Sequence, residues 1–213
     1  MTRPCSICGS RDAVYYQSFS GDYLCIACLR KRLIKYVRKA FSKYEFSIPP
    51  GASIILLITP AQTPIRHAVE EIFAAAERPF TTKITTSLMK PGRDIVEAQR
   101  EAVEEATKNG YRLVMLSTTL EERLLELLTT LMRRHSLDPS CRGLYRHGDT
   151  TVFKPFSFTS LQDLYAYAAA TGKLSHTPRT PYLYEQLLAA AWGGPELAYS
   201  YRRVLRRLLE DEP

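Results

Sequence analysis

The sequence predicts an α/β protein in which a parallel sheet carries helices on both faces and a small four-cysteine module precedes it. Three observations carry that prediction. Two Cys-x-x-Cys pairs, Cys5 with Cys8 and Cys25 with Cys28, fall within the first 28 residues. Residues 54–58 form a continuous apolar run of the kind that suits a strand buried on both faces. Strand-like and helix-like periodicities then alternate as far as residue 170.

Taken in order, residues 2–23 read as two short knuckles around a hairpin, with Ala13-Val14-Tyr15-Tyr16 turning at Ser20-Gly21-Asp22. Residues 29–44 follow with Leu29, Leu33, Val37 and Phe41 at every fourth position, and Arg30, Lys31, Arg32, Lys35, Arg38, Lys39 and Lys43 among the rest. That spacing predicts a basic amphipathic helix. Pro49-Pro50-Gly51 then forms a short linker. Beyond it the expected elements are a strand over 54–58, a helix over 65–76, a strand over 79–86 and a helix over 95–108 stopped by Asn109-Gly110. A strand over 112–116, a helix over 121–134, a loop over 139–148, a strand over 151–153 and a helix over 161–170 complete the series. Residues 182–212 read as helical, broken by Gly193-Gly194-Pro195. The expected division is therefore 1–28, a cysteine ribbon; 29–50, basic helix and linker; 51–175, an α/β domain; and 176–213, a C-terminal helical segment.

The cysteines define the clearest chemistry. A Cys-x-x-Cys knuckle brings two thiolates onto one ion, and two knuckles complete a tetrahedron, so Cys5, Cys8, Cys25 and Cys28 predict a closed structural Zn site in a zinc ribbon. An iron–sulfur cluster is the competing occupant. Clustering four of the five cysteines at one end argues against a disulfide framework, and Cys141, standing alone, reads as a packing residue.

A formal charge of +7 at a pI near 9.2 favours polyanionic partners. The basic helix, with Tyr36 and Tyr44 among its cations, suits a surface that tracks phosphates; the alternative is a solvated helix face. Arg202, Arg203, Arg206 and Arg207 form a second basic stripe, opposite Val204, Leu205, Leu208 and Leu209. His67, His135, His147 and His176 include no pair at ligand spacing, and the Ser/Thr clusters show no nucleophile–base logic. The chain has no apolar run long enough for a membrane span, and Met1-Thr2-Arg3-Pro4 leads straight into cysteine chemistry, so the expected location is cytoplasmic.

A cysteine ribbon, a basic helix ending in Lys43-Tyr44 and a strand entering an α/β domain together resemble the tRNA 2-thiolation proteins of the PP-loop ATP pyrophosphatase superfamily, whose active members include the TtuA-type enzymes. The resemblance implies a PP-loop, HUP-like sheet. In that family a Ser-Gly-Gly-x-Asp-Ser loop after the first strand grips the ATP pyrophosphate with its backbone amides. The corresponding stretch here is Thr59-Pro60-Ala61-Gln62-Thr63-Pro64, which has lost the glycines and two N–H donors. The family's Gly-His-Asn-Leu-Asp-Asp motif resembles Ser117-Thr118-Thr119-Leu120-Glu121-Glu122, and its Arg-Pro-Leu with a downstream Glu-x-x-x-Tyr resembles Lys154-Pro155-Phe156 with Asp163 and Tyr167. Active members carry cysteines inside the α/β domain, where this chain has only Cys141.

The resemblance therefore implies a degenerate, non-catalytic member. Thr59, Thr63, Glu121 and Glu122 would be a vestigial nucleotide site, tRNA would be bound by the basic helix, and an active thiolation paralogue would be the hetero-oligomer partner. Two other functions compete: an active ATP-dependent thiolation enzyme with a remodelled loop, and a general zinc-ribbon RNA-binding protein.

Overall fold

The computed structural model describes residues 3–77, 83–90, 94–134 and 138–175. The expected C-terminal helices, the second basic stripe, His135 and His176 lie outside these residues.

A two-stranded antiparallel hairpin opens the chain, β1 (Tyr15–Gln17) against β2 (Asp22–Leu24), with Gly21 at a positive φ of 70° in its turn. Cys25 is the N-cap of α1 (Ile26–Lys43), which starts three residues before the expected helix. Its buried stripe is Leu29, Leu33, Val37 and Ala40. The expected strand over 54–58 is β3 (Ser53–Ile58), followed by a 3-10 turn (Pro60–Ile65), α2 (Arg66–Glu77) and β4 (Lys83–Leu88). Then come α3 (Ile95–Lys108), β5 (Leu113–Leu116), α4 (Leu120–Arg134), β6 (Leu144–His147), β7 (Thr150–Phe153) and α5 (Leu161–Ala170).

The sheet has the order β4-β3-β5-β7-β6, parallel except for the antiparallel edge pair β6 and β7. β6 is an addition to the expected elements: its residues Leu144-Tyr145-Arg146-His147 are too polar to stand out in a loop, and pairing with β7 supplies their order. Period-two alternation in β3 explains why both faces are covered. Ile54, Leu56 and Ile58 enter one core with α1, α2 and α5, while Ile55 and Leu57 enter a second core with Ala98, Val103 and Ala106 of α3. Asp94 caps α3 by accepting a hydrogen bond from the Glu97 amide at 3.0 Å, and Gly110, at φ 85°, ends it where Asn109-Gly110 predicts.

Aromatic packing joins the end of α1 to the sheet. Phe41 and Phe46 lie 4.8 and 4.6 Å, centroid to centroid, from Phe153 of β7. The hydroxyl end of the Tyr44 ring, its Cζ, Oη and Cε2, occupies the space that a Cβ on Gly143 would need. Gly143→Ala should therefore displace Tyr44 and cost about 1–3 kcal/mol. Urea unfolding would check this, and Tyr44→Ala in the same chain should relieve the clash and make Gly143→Ala nearly neutral.

Candidate functional site

Three places collect the side chains that the sequence singles out. The first is the cysteine cluster. The four sulfurs of Cys5, Cys8, Cys25 and Cys28 lie within 4.8 Å of one another, and Cys8 Sγ and Cys25 Sγ are 3.8 Å apart. A zinc–sulfur bond of about 2.3 Å in a tetrahedron puts its sulfurs about 3.8 Å apart, so the cluster fits a single tetrahedral ion. The knuckle is held by the Cys5 amide donating to Arg11 O at 2.8 Å and the Gly9 amide donating to Cys5 O at 2.8 Å. Cys25 is the N-cap of α1 and Cys28 lies in its first turn, where burial pushes the Cys28 thiol up to about 12. Hydrogen bonding, first from the Ser10 side chain, brings the Cys8 thiol down to about 6.

The ribbon is fastened to the sheet domain through one carboxylate. Asp163 of α5, buried, accepts from Tyr15 Oη at 2.9 Å and from Gln17 Nε2 at 2.6 Å. Arg32 completes the joint by donating to the Gln17 side chain and pairing with Asp22 at 2.8 Å.

The second place is the carboxyl end of the sheet. β4 and β5 flank β3 on opposite sides, so the chain changes direction there and opens a crevice beyond the ends of β3 and β5, the usual ligand position in such sheets. Buried side chains from the turn after β3 and from the exit of β5 meet there. Gln62, fully buried in the 3-10 turn, donates through Nε2 to Ser117 O at 2.6 Å and to Glu122 Oε2 at 2.8 Å. The same Glu122 oxygen accepts from the Thr119 amide and the Thr119 hydroxyl, each at 2.8 Å. The Thr59 amide donates to Ser117 Oγ at 3.2 Å, and Tyr165 closes the outside by donating to Ala61 O at 2.6 Å.

Of the four residues expected at a vestigial nucleotide site, Thr59 and Glu122 thus share one buried network. Glu121 faces the start of α5 instead, accepting from Ser160 Oγ at 2.5 Å and from the Leu161 amide at 2.8 Å. Thr63 is half-buried. Gln62, which sequence reasoning did not single out, is the centre of the network; its partners lie 55 and 60 residues away, so no local pattern marks it.

The third place is α1. Lys31, Lys35, Arg38, Lys39 and Lys43 are exposed, but part of the expected cationic set also has internal work. Arg30 pairs with Glu71 at 2.9 Å, in a cluster where Tyr167 and Lys173 also donate to that carboxylate. Arg32 belongs to the ribbon joint. Arg38 donates to Ala75 O and Ala76 O in the last turn of α2, and Lys39 Nζ lies 5.1 Å from the Phe158 ring centroid.

Sequence reasoning also passed over a buried ion pair. Lys154, just beyond β7, lies 2.6 Å from both oxygens of Glu126 and donates to Ser140 O at 2.6 Å, with both charged side chains at most 1% exposed. Beside it Arg123 donates to Cys141 O at 3.2 Å, and the Cys141 thiol, which donates to Thr130 Oγ1 at 3.4 Å, is pushed up by burial.

Neither the protein-family models nor the curated proteins contain a match to the chain. Among solved structures, the U34-tRNA thiolase NcsA from Methanococcus maripaludis with its [4Fe-4S] cluster is similar, with a TM-score of 0.62 at 14% identity. The likeness covers 100% of this chain and 89% of the thiolase. The two share a fold. The expected α/β class, with its parallel sheet and flanking helices, is thereby established. None of the described helices is long and apolar enough to cross a membrane.

Burial pushes the Glu121 carboxyl up to about 7, above its ordinary value of 4.5. The folded chain therefore holds this proton more tightly than the unfolded chain does. The stability it contributes is complete below about pH 4.5 and is lost as the pH rises to about 7. Glu121→Gln should flatten that part of the stability–pH curve relative to the parent, as measured by urea midpoints between those limits.

Proposed function

We propose that the chain is a non-catalytic, tRNA-binding subunit of wobble-uridine 2-thiolation, working in the cytoplasm beside an active paralogue in a hetero-oligomer. The observation that carries this reading is the Gln62–Glu122–Thr119 network, which lies at the strand-end crevice within a fold shared with a U34-tRNA thiolase. A loop that grips pyrophosphate must aim free backbone amides into open space. Here the Thr59 amide is spent on Ser117, the Gln62 amide is spent on Thr59 O at 2.9 Å, and Pro60 and Pro64 have none.

The four thiolates would hold zinc. Their separations suit one ion, whereas a four-iron cube sets four metals between its thiolates and spreads them farther apart. Zinc there would fix the hairpin and the start of α1, and so present Lys31, Lys35, Lys39 and Lys43 along one helix to the phosphates of folded tRNA.

Two measurements test the reading. The purified chain should contain one zinc per molecule, and Cys5→Ser should lose it along with much of the fold's stability; a brown, iron-containing protein would contradict the assignment. Zinc-loaded protein should bind folded tRNA with an affinity that falls linearly in log–log plots against salt. Replacing Lys31, Lys35 and Lys39 together by Glu should weaken binding by roughly tenfold or more while leaving the melting temperature within a few degrees. Binding indifferent to salt and to these substitutions would refute the role given to α1.

A further inference from the structure

The sheet ends on two unlike edges. β6, at one end, is four residues long and carries Arg146 and His147, and a charged side chain discourages the addition of a further strand. β4, at the other end, is six residues long, and its stretch Ile84-Thr85-Thr86-Ser87-Leu88 has no charge and no proline. None of the described residues hydrogen-bonds to the backbone of its outer side. The Lys83 amide donates inward to Ala52 O at 3.2 Å, and the Met89 amide to Ile58 O at 2.9 Å. Strand alternation then turns the N–H and C=O groups of Ile84, Thr86 and Leu88 outward. The Leu88 side chain is itself 43% exposed.

These three residues are symmetric about Thr86, which makes the edge complementary to itself. A second copy, turned by a two-fold axis normal to the sheet, lays its β4 antiparallel to the first with Thr86 opposite Thr86 and Ile84 opposite Leu88. Every one of those pairs is then hydrogen-bonded, and facing residues point to the same side of the sheet. Ile84, which packs against the core shared with α2, covers the exposed Leu88 of the second copy, and Thr85 meets Ser87 on the α3 side. The same register sets Lys83 opposite Met89 of the second copy. Met89 lines a small cleft with Glu101 and Glu105 of α3; Glu105 pairs with Lys90 at 3.6 Å, and Glu101 is exposed beside it. Each copy's Lys83 therefore arrives where the other presents a carboxylate. We propose that the chain forms a two-fold homodimer by antiparallel pairing of β4 with β4, centred on Thr86, which joins the two five-stranded sheets into one. Each copy offers one such edge, so the assembly closes at two. The proposal stands on β4 and α3 and does not rest on the thiolation role.

The test uses the full zinc-loaded chain. Sedimentation velocity at concentrations up to about 100 μM should show a species of twice the 24.2 kDa chain mass. Thr86→Pro removes an N–H that the chain's own sheet does not use, so it should give a monomer that melts within a few degrees of the parent. Lys83→Glu and Glu101→Lys should each weaken dimerisation by about threefold or more, and the two changes in one chain should restore it. Thr86→Cys should form an intermolecular disulfide on mild oxidation, since paired Cα atoms at that point lie about 5.5 Å apart. Leu88→Cys, four residues out of register with its own counterpart, should not. A monomer at every concentration would overturn the proposal, as would a dimer that Thr86→Pro leaves intact or that Thr86→Cys fails to crosslink.

Discussion

The carboxylate of Glu122 is the constraint around which the sheet's functional end is organised. It is 2% exposed, it stands in the first turn of α4, and it takes hydrogen bonds from Gln62 Nε2, the Thr119 amide and the Thr119 hydroxyl. A carboxylate so placed gains from the helix dipole, and losing one of these donors would leave it short of a partner where water cannot substitute. Because Gln62 enters from the turn after β3 and Thr119 from the exit of β5, one side chain locks both lips of the crevice together.

The same logic repeats at the ribbon. A module of two short strands and two knuckles has little core of its own, so its position depends on what it is tied to. Leu24 and Leu29 carry it into the large apolar cluster, and Asp163 ties β1 to α5 with two short hydrogen bonds. Glu71 plays a parallel part among α1, α2 and α5, drawing in Arg30, Tyr167 and Lys173; hydrogen bonds from these groups hold its carboxyl below the usual range against the opposing effect of burial. The cysteine ribbon is therefore tied to the helix layer, and α1 is at once part of the core and the most basic exposed surface among the described residues.

What could be read from the sequence divides along a physical line. Local, repetitive features were legible: the Ile-Ile-Leu-Leu-Ile run of β3, the fourfold stripe of α1, the Asn109-Gly110 stop of α3, and the ends of α5, which match the expected helix over 161–170. Cysteine spacing was legible because ligand geometry restricts it. Contacts between distant residues were not. Gln62 finding Glu122, Lys154 finding Glu126 and Asp163 finding the ribbon all span 28 residues or more; Glu122, Lys154 and Asp163 stand in the motifs that carry the resemblance, but nothing local announces the partner of any of them. Arg30, Arg32 and Arg38 were read as part of an open cationic face for the same reason, since nothing local announces Glu71, Asp22 or the carbonyls at the end of α2. β6 was read as loop because an edge strand need not be apolar.

The claim on which the account rests is that the network around Glu122 has ended ATP chemistry at the end of β3. It is tested most directly by measuring pyrophosphate release from ATP and magnesium by the zinc-loaded chain, with and without folded tRNA. The account predicts no release above the protein-free background under either condition. Release that depends on tRNA and is lost when the turn over Pro60–Ile65 is altered would contradict it, and would mean that the network around Glu122 opens to admit the nucleotide.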